Sequence, residues 1–258
     1  MEFIVTAALW SRIALSAAAF FSAVFIRGES AARSAIRALL LFFVAVNAII
    51  LALYFAYGPN FPLNHKYDGF FFGTFTLSLI VLLYMKSLKS RAPLAIAASI
   101  LLVFSAAGIY GAKVEAVMRL TNMIPAALLF VIFRDVSLMF FAFSAAVSAV
   151  ELFRPGKTFT PTGRMSDAMY SPVLWGFIAF CFCQLFGSLW ALSSSYGDVW
   201  LWKQSFLFSA VVWIYYGGML HARYIPKWPE KLFPALAVFG FFMQIFYLYY
   251  YSAYFEIR

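Results

Sequence analysis

Residues 187 to 223 read GSLWALSSSYGDVWLWKQSFLFSAVVWIYYGGMLHAR. A mostly uncharged, tryptophan-bearing segment (Trp190, Trp200, Trp202) separates two apolar runs, and the second run ends at His221, one of two histidines in the chain. Tryptophan favours a membrane–water boundary, where its ring is half buried and its N–H stays hydrated. The stretch therefore reads as two membrane spans joined by an interfacial aromatic loop. Outward from it, the rest of the chain repeats the pattern of apolar run, short polar break, apolar run.

Composition agrees. Of 258 residues, 65% are hydrophobic, 21% aromatic and 11% charged, a balance that no water-soluble domain of this size can bury. The expected fold is all-α, a polytopic membrane protein of about eight transmembrane helices over residues 3–25, 38–57, 70–86, 92–110, 128–152, 171–191, 205–222 and 232–254. With no composition shift, internal repeat or polar tail, residues 1–258 read as a single membrane domain. The start, MEFIVTAALW, has no basic segment ahead of its apolar run, so no cleavable leader is expected.

The net charge of +9 is spread over many short loops, which argues against nucleic acid as a partner and for a topological role. Arg27, Arg33 and Arg37 follow span 1, and Lys86, Lys89 and Arg91 follow span 3. Arg154, Lys157 and Arg164 follow span 5, and Arg223, Lys227 and Lys231 follow span 7. The opposite side has half as many. By the positive-inside rule the richer side is cytoplasmic, which places both termini and the tryptophan loop on the exoplasmic, periplasmic side of a cell inner membrane.

No hydrolytic or group-transfer motif is present: there is no phosphate-binding glycine loop, no H-E-x-x-H and no paired carboxylates. The chain is therefore not expected to be an enzyme, and two histidines cannot build a three-histidine metal site. Broken helices in matching halves, which a transporter would carry, are not evident. Cys181 and Cys183 lie two apart on one helix and so do not share a face; packing accounts for them. Arg12, inside span 1, must snorkel, contact another helix or meet a ligand carboxylate. Arg134 and Asp135, near the outer end of span 5, form either an interfacial ion pair or the lining of a site beneath the loop. Glu151, at the inner end of that span, is expected to be solvated, as is His65 in the outer loop NHKYD.

One constellation remains. On a helix, Gly218, Gly217 and Ile214 share the face of His221. Two glycines beside an imidazole leave a slot in which a porphyrin could lie with His221 as axial ligand. The same pattern also suits two helices packed closely, with the histidine simply hydrogen-bonded.

The order and spacing of these residues resemble a known family. The stretch from about 125 to 225 is similar to the cytochrome c assembly proteins of the CcsA, ResC and CcmC type, a haem-handling superfamily. Its mark is an outer W-G-x-x-W-x-W-D loop followed by a helix ending L-H-x-R. Tyr196-Gly197-Asp198-Val199-Trp200-Leu201-Trp202-Lys203 occupies the loop motif, and Trp213 and Leu220-His221-Ala222-Arg223 follow in register. Upstream, Gly176-Phe177 and Gly187-Ser188-Leu189-Trp190-Ala191 resemble the helix leading into that loop.

The resemblance implies two haem positions, one in the membrane at His221 and one beneath the tryptophan loop between two outer histidines. It also implies haem b as the cofactor, and a periplasmic c-type cytochrome and other membrane subunits as partners beside the lipid bilayer. The sequence departs from the pattern at Lys203, where the family has an acid, and at Tyr196, where it has tryptophan. Asp135 stands at the first outer histidine, and the terminal YSAYFEIR holds no counterpart of the second. The expected site residues are therefore His221, Trp190, Trp200, Trp202, Trp213, Gly217, Gly218 and Asp135, with His221 as the metal ligand and the outer bis-histidine site lost. The expected function is that of a divergent haem-handling membrane protein. The alternative is a structural or electron-transfer subunit that seats a periplasmic cytochrome and has lost haem delivery.

Overall fold

The computed structural model describes residues 2–57, 68–88, 90–112, 125–153, 167–193, 204–221, 224–225, 229 and 231–255. These residues are helical almost throughout, with no strand among them. They form α1 (Glu2–Phe25), α2 (Glu29–Tyr57), α3 (Asp68–Tyr84), α4 (Ala92–Ala112), α5 (Pro125–Phe153), α6 (Asp167–Ser193), α7 (Gln204–His221) and α8 (Leu232–Phe255). Three of these are long and apolar enough to cross a membrane: Glu29–Ala52 of α2, all of α5 and all of α6. Shorter apolar helical stretches lie within α1, α3, α4, α7 and α8. The chain is a multi-pass membrane protein on this reading of length and composition.

Helix starts follow local chemistry. Pro125 opens α5, and Pro93 and Pro234 fall in the first turns of α4 and α8, where a missing N–H costs no helical bond. Helix α2 begins nine residues before its expected apolar run. The spacing of Ala32, Ile36, Leu40 and Phe43, all buried, carries one apolar stripe back past Arg33 and Arg37 to Glu29.

The chain forms two compact units, residues 1–122 and 123–258. In the first, α1 packs on α2 and α4, and α3 packs on α2 and α4, giving a four-helix ring. Arg12 is buried in that ring and donates to Thr74 Oγ1 of α3. Of its three readings, contact with another helix is the one seen. Ser16 Oγ lies 3.3 Å from Ser105 Oγ of α4. Arg33 donates to the carbonyl of Leu88 at 2.7 Å, and Arg91 to the carbonyl of Ile26 just past α1. These arginines, counted above for topology, also serve carbonyls that no helix satisfies.

The second unit repeats the arrangement: α5 packs on α6 and α8, and α7 packs on α6 and α8. Glycines set the α5–α6 spacing. A Cβ placed on Gly176 would stand 2.7 and 2.8 Å from the ring of Phe141, and one on Gly187 would stand 2.9 Å from the ring of Phe130. Glu151 departs from its expected solvation and is buried. It continues the stripe of Ser144 and Ser148 at helical spacing, and that stripe faces the interior of the unit.

Candidate functional site

The family-like residues lie in the second unit, in two groups. Helix α6 joins them: Phe177 and Trp190 stand thirteen positions apart, which is about 20 Å along a helix axis.

The first group is at the end of α7. His221 is the last residue of that helix, and its Nδ1 lies 2.7 Å from the carbonyl oxygen of Gly217, one turn back. A carbonyl can only accept, so Nδ1 carries the proton and donates. In the neutral imidazole the lone pair of Nε2 is then left for another partner, the tautomer that a histidine metal ligand needs. Beside the imidazole, a Cβ on Gly218 would meet nothing within 4 Å. Gly217 is floored by Phe177 of α6, 3.5 Å from its own Cβ position. Phe177 continues the floor to Trp213, ring centroids 5.7 Å apart, and Trp213 Nε1 donates to Cys181 Sγ at 3.2 Å. Ile214, Trp213 and His221 are all exposed on this side. The structure therefore brings His221, Gly217, Gly218 and Trp213 together as an open, aromatic-floored face. Phe177 belongs to it; the glycine spacing points across the helix pair to such a ring without naming the residue.

The second group lies toward the other end of α5 and α6. Trp190 packs on Phe130, ring centroids 5.8 Å apart. The Arg134 guanidinium lies 6.0 Å from the same ring centroid, and its Nε donates to Asp135 Oδ1 at 3.0 Å. The result is a run of indole, phenyl, cation and carboxylate. Asp135 itself is buried, 4% exposed. Trp200 and Trp202, like Lys203, Tyr196 and His65, lie outside the described residues. Among the described residues, no group of three or more His, Cys, Asp or Glu side chains could hold a metal ion.

No family model matches the chain. Over 87 residues, 34% of the chain, it is 28% identical to the cytochrome c biogenesis protein CcsA of Prochlorococcus marinus strain NATL1A, covering 27% of that protein. The same figures hold for CcsA of strain NATL2A. CcsA of strain MIT 9515 is 26% identical over 87 residues, 28% of its length. The matched stretch spans about a quarter of these curated relatives. Over that third of its own length, the chain is similar to cytochrome c biogenesis proteins.

Proposed function

We propose that this chain is a divergent haem-handling membrane protein in which His221 is an axial haem ligand. The observation that carries the reading is the His221 Nδ1 to Gly217 carbonyl bond, which engages Nδ1 and leaves Nε2 as the ring nitrogen open to a ligand, beside the open face at Gly218. The similarity to CcsA supports the same class. The residues present fit one axial bond and one flat contact surface: His221 supplies the nitrogen, Gly217 and Gly218 withhold side chains, and Trp213 and Phe177 supply ring faces. When bound, haem brings an iron whose redox state answers to its axial ligands. The chain's own part is to hold and orient it. In this reading the eight helices are eight spans of an inner membrane, the termini and the loop with Trp200 and Trp202 are periplasmic, and His221 lies near the cytoplasmic side. Asp135 and Trp190 are assigned to the outer, periplasmic part of the same site.

Purified chain should show a b-type Soret band and a pyridine haemochrome spectrum, and His221→Ala should remove or shift the band. Gly218→Phe provides the sharper check. Its Cβ has open space, so the helix should keep its stability while the new ring covers the face and haem occupancy falls. A colourless wild type purified with its partners, or full haem in both variants, would sink the proposal. The second reading, a subunit that seats a cytochrome, draws on the row Leu207, Val211, Ile214, Gly218 and His221, exposed along one face of α7. It expects stable co-purification with other subunits and tolerance of His221→Ala.

A further inference from the structure

The interior of the second unit carries polar atoms that the haem reading does not use. Asp135 Oδ1 accepts from Arg134, while Oδ2 is buried without a hydrogen-bond partner. Gln244 of α8 is fully buried, 0% exposed, and both its Nε2 and its Oε1 are unpartnered. The hydroxyl of Tyr216, a buried residue of α7, is unpartnered as well. Four unmet polar atoms in one apolar interior are costly, and buried groups of this kind are nearly always satisfied.

Their positions form a sequence along the bundle. Tyr216 stacks on Phe141 of α5, and its hydroxyl oxygen lies 2.8 Å from where a Cβ on Gly240 would stand. Gln244 is one turn further along α8 on the same face, about 6 Å on. Tyr247 is three residues beyond and stacks on Phe208 of α7, ring centroids 6.1 Å apart. Phe141 and Asp135 are six residues apart on α5, about 9 Å. The two helices thus agree on one order: Tyr216, then Gln244, then Asp135.

We propose that this file is a built site for internal water, with one or two molecules bridging Tyr216, Gln244 and Asp135. The donor and acceptor count selects the guest. It must donate to Asp135 Oδ2 and Gln244 Oε1 and accept from Gln244 Nε2, which a carbonyl compound cannot do. An anion would face the Asp135 carboxylate, and a cation would face the carboxamide N–H and the Arg134 guanidinium. Size points the same way: the Phe141 and Tyr216 rings are 3.6 Å apart, and the tyrosine already occupies the space a side chain at 240 would take. Water fits the donor and acceptor requirements together.

Synchrotron hydroxyl-radical labelling of the detergent-purified chain, read by mass spectrometry, tests this, because bound water generates radicals in place. Tyr216 and Phe141 should be labelled several-fold faster than Phe143 and Phe180, which are equally buried. Gln244→Leu should slow labelling at both, and Tyr216→Phe should slow it at Phe141. Labelling of Phe141 and Tyr216 at the rate of Phe143 and Phe180 in the unmodified chain would overturn the proposal. So would labelling that Gln244→Leu leaves unchanged. None of these outcomes depends on haem.

Discussion

Gly176→Val should deprive the chain of its folded C-terminal bundle. A Cβ at 176 would already stand 2.7 Å from Phe141 and 3.1 Å from the Cβ of Phe140, and valine adds two methyl groups beyond it. Phe141 has nowhere to go: it is buried and stacked on Tyr216, their centroids 3.6 Å apart. Contact with Phe140 Cβ reaches α5 close to its backbone, so the helices themselves must separate. Overpacking of this kind costs about 1–3 kcal/mol where neighbours can yield. Here they cannot, and the expected loss is at the top of that range or above it, a large part of a net stability of about 5–15 kcal/mol. Heating followed by size-exclusion chromatography should show the variant aggregating at temperatures where the unmodified chain stays monodisperse. Adding Phe141→Leu should restore part of the loss. Gly218→Val, whose Cβ meets nothing within 4 Å, should leave the profile unchanged.

Arg134→Leu should be nearly as damaging, for an electrostatic reason. It strips Asp135, 4% exposed, of the donor that satisfies its Oδ1 and leaves a carboxylate in an apolar interior. Removing one partner of a buried ion pair costs about 3–5 kcal/mol. Since the Arg134 side chain keeps 25% of its exposure, the low end, about 3 kcal/mol, is the fitting figure. That corresponds to a fall in melting temperature on the order of 10 °C. Arg134→Leu combined with Asp135→Leu should recover most of it, because a well-packed apolar pair can match a buried ion pair. A double-mutant cycle by thermal unfolding checks this. Additive losses would show that the two side chains act separately.

The helices were legible in the sequence because apolar run length and helix length are nearly the same quantity in a membrane protein. The expected run 232–254 is α8 (Leu232–Phe255), and 205–222 is α7 (Gln204–His221). The misses fall where polar residues sit inside a helix for a tertiary reason. Glu29, Arg33 and Arg37 hid the first turns of α2, and Glu151 looked solvated until its stripe was seen to face inward. At the candidate site, the grouping of His221, Gly217 and Gly218 follows from spacing alone, since all three share one helix. Phe177 and Gln244 do not, because they reach their partners from other helices and no local pattern carries that information.

The bond between Trp213 Nε1 and Cys181 Sγ has an optical consequence. A thiol in contact with an indole quenches its emission, so α6 and α7 carry an unlabelled gauge of their own spacing at the edge of the His221 face. Alkylating Cys181, a free and partly exposed thiol, resets that gauge, whereas the buried Cys183 two residues along resists the reagent. With the other six tryptophans replaced by phenylalanine, the fluorescence lifetime of Trp213 therefore reports the spacing of these two helices.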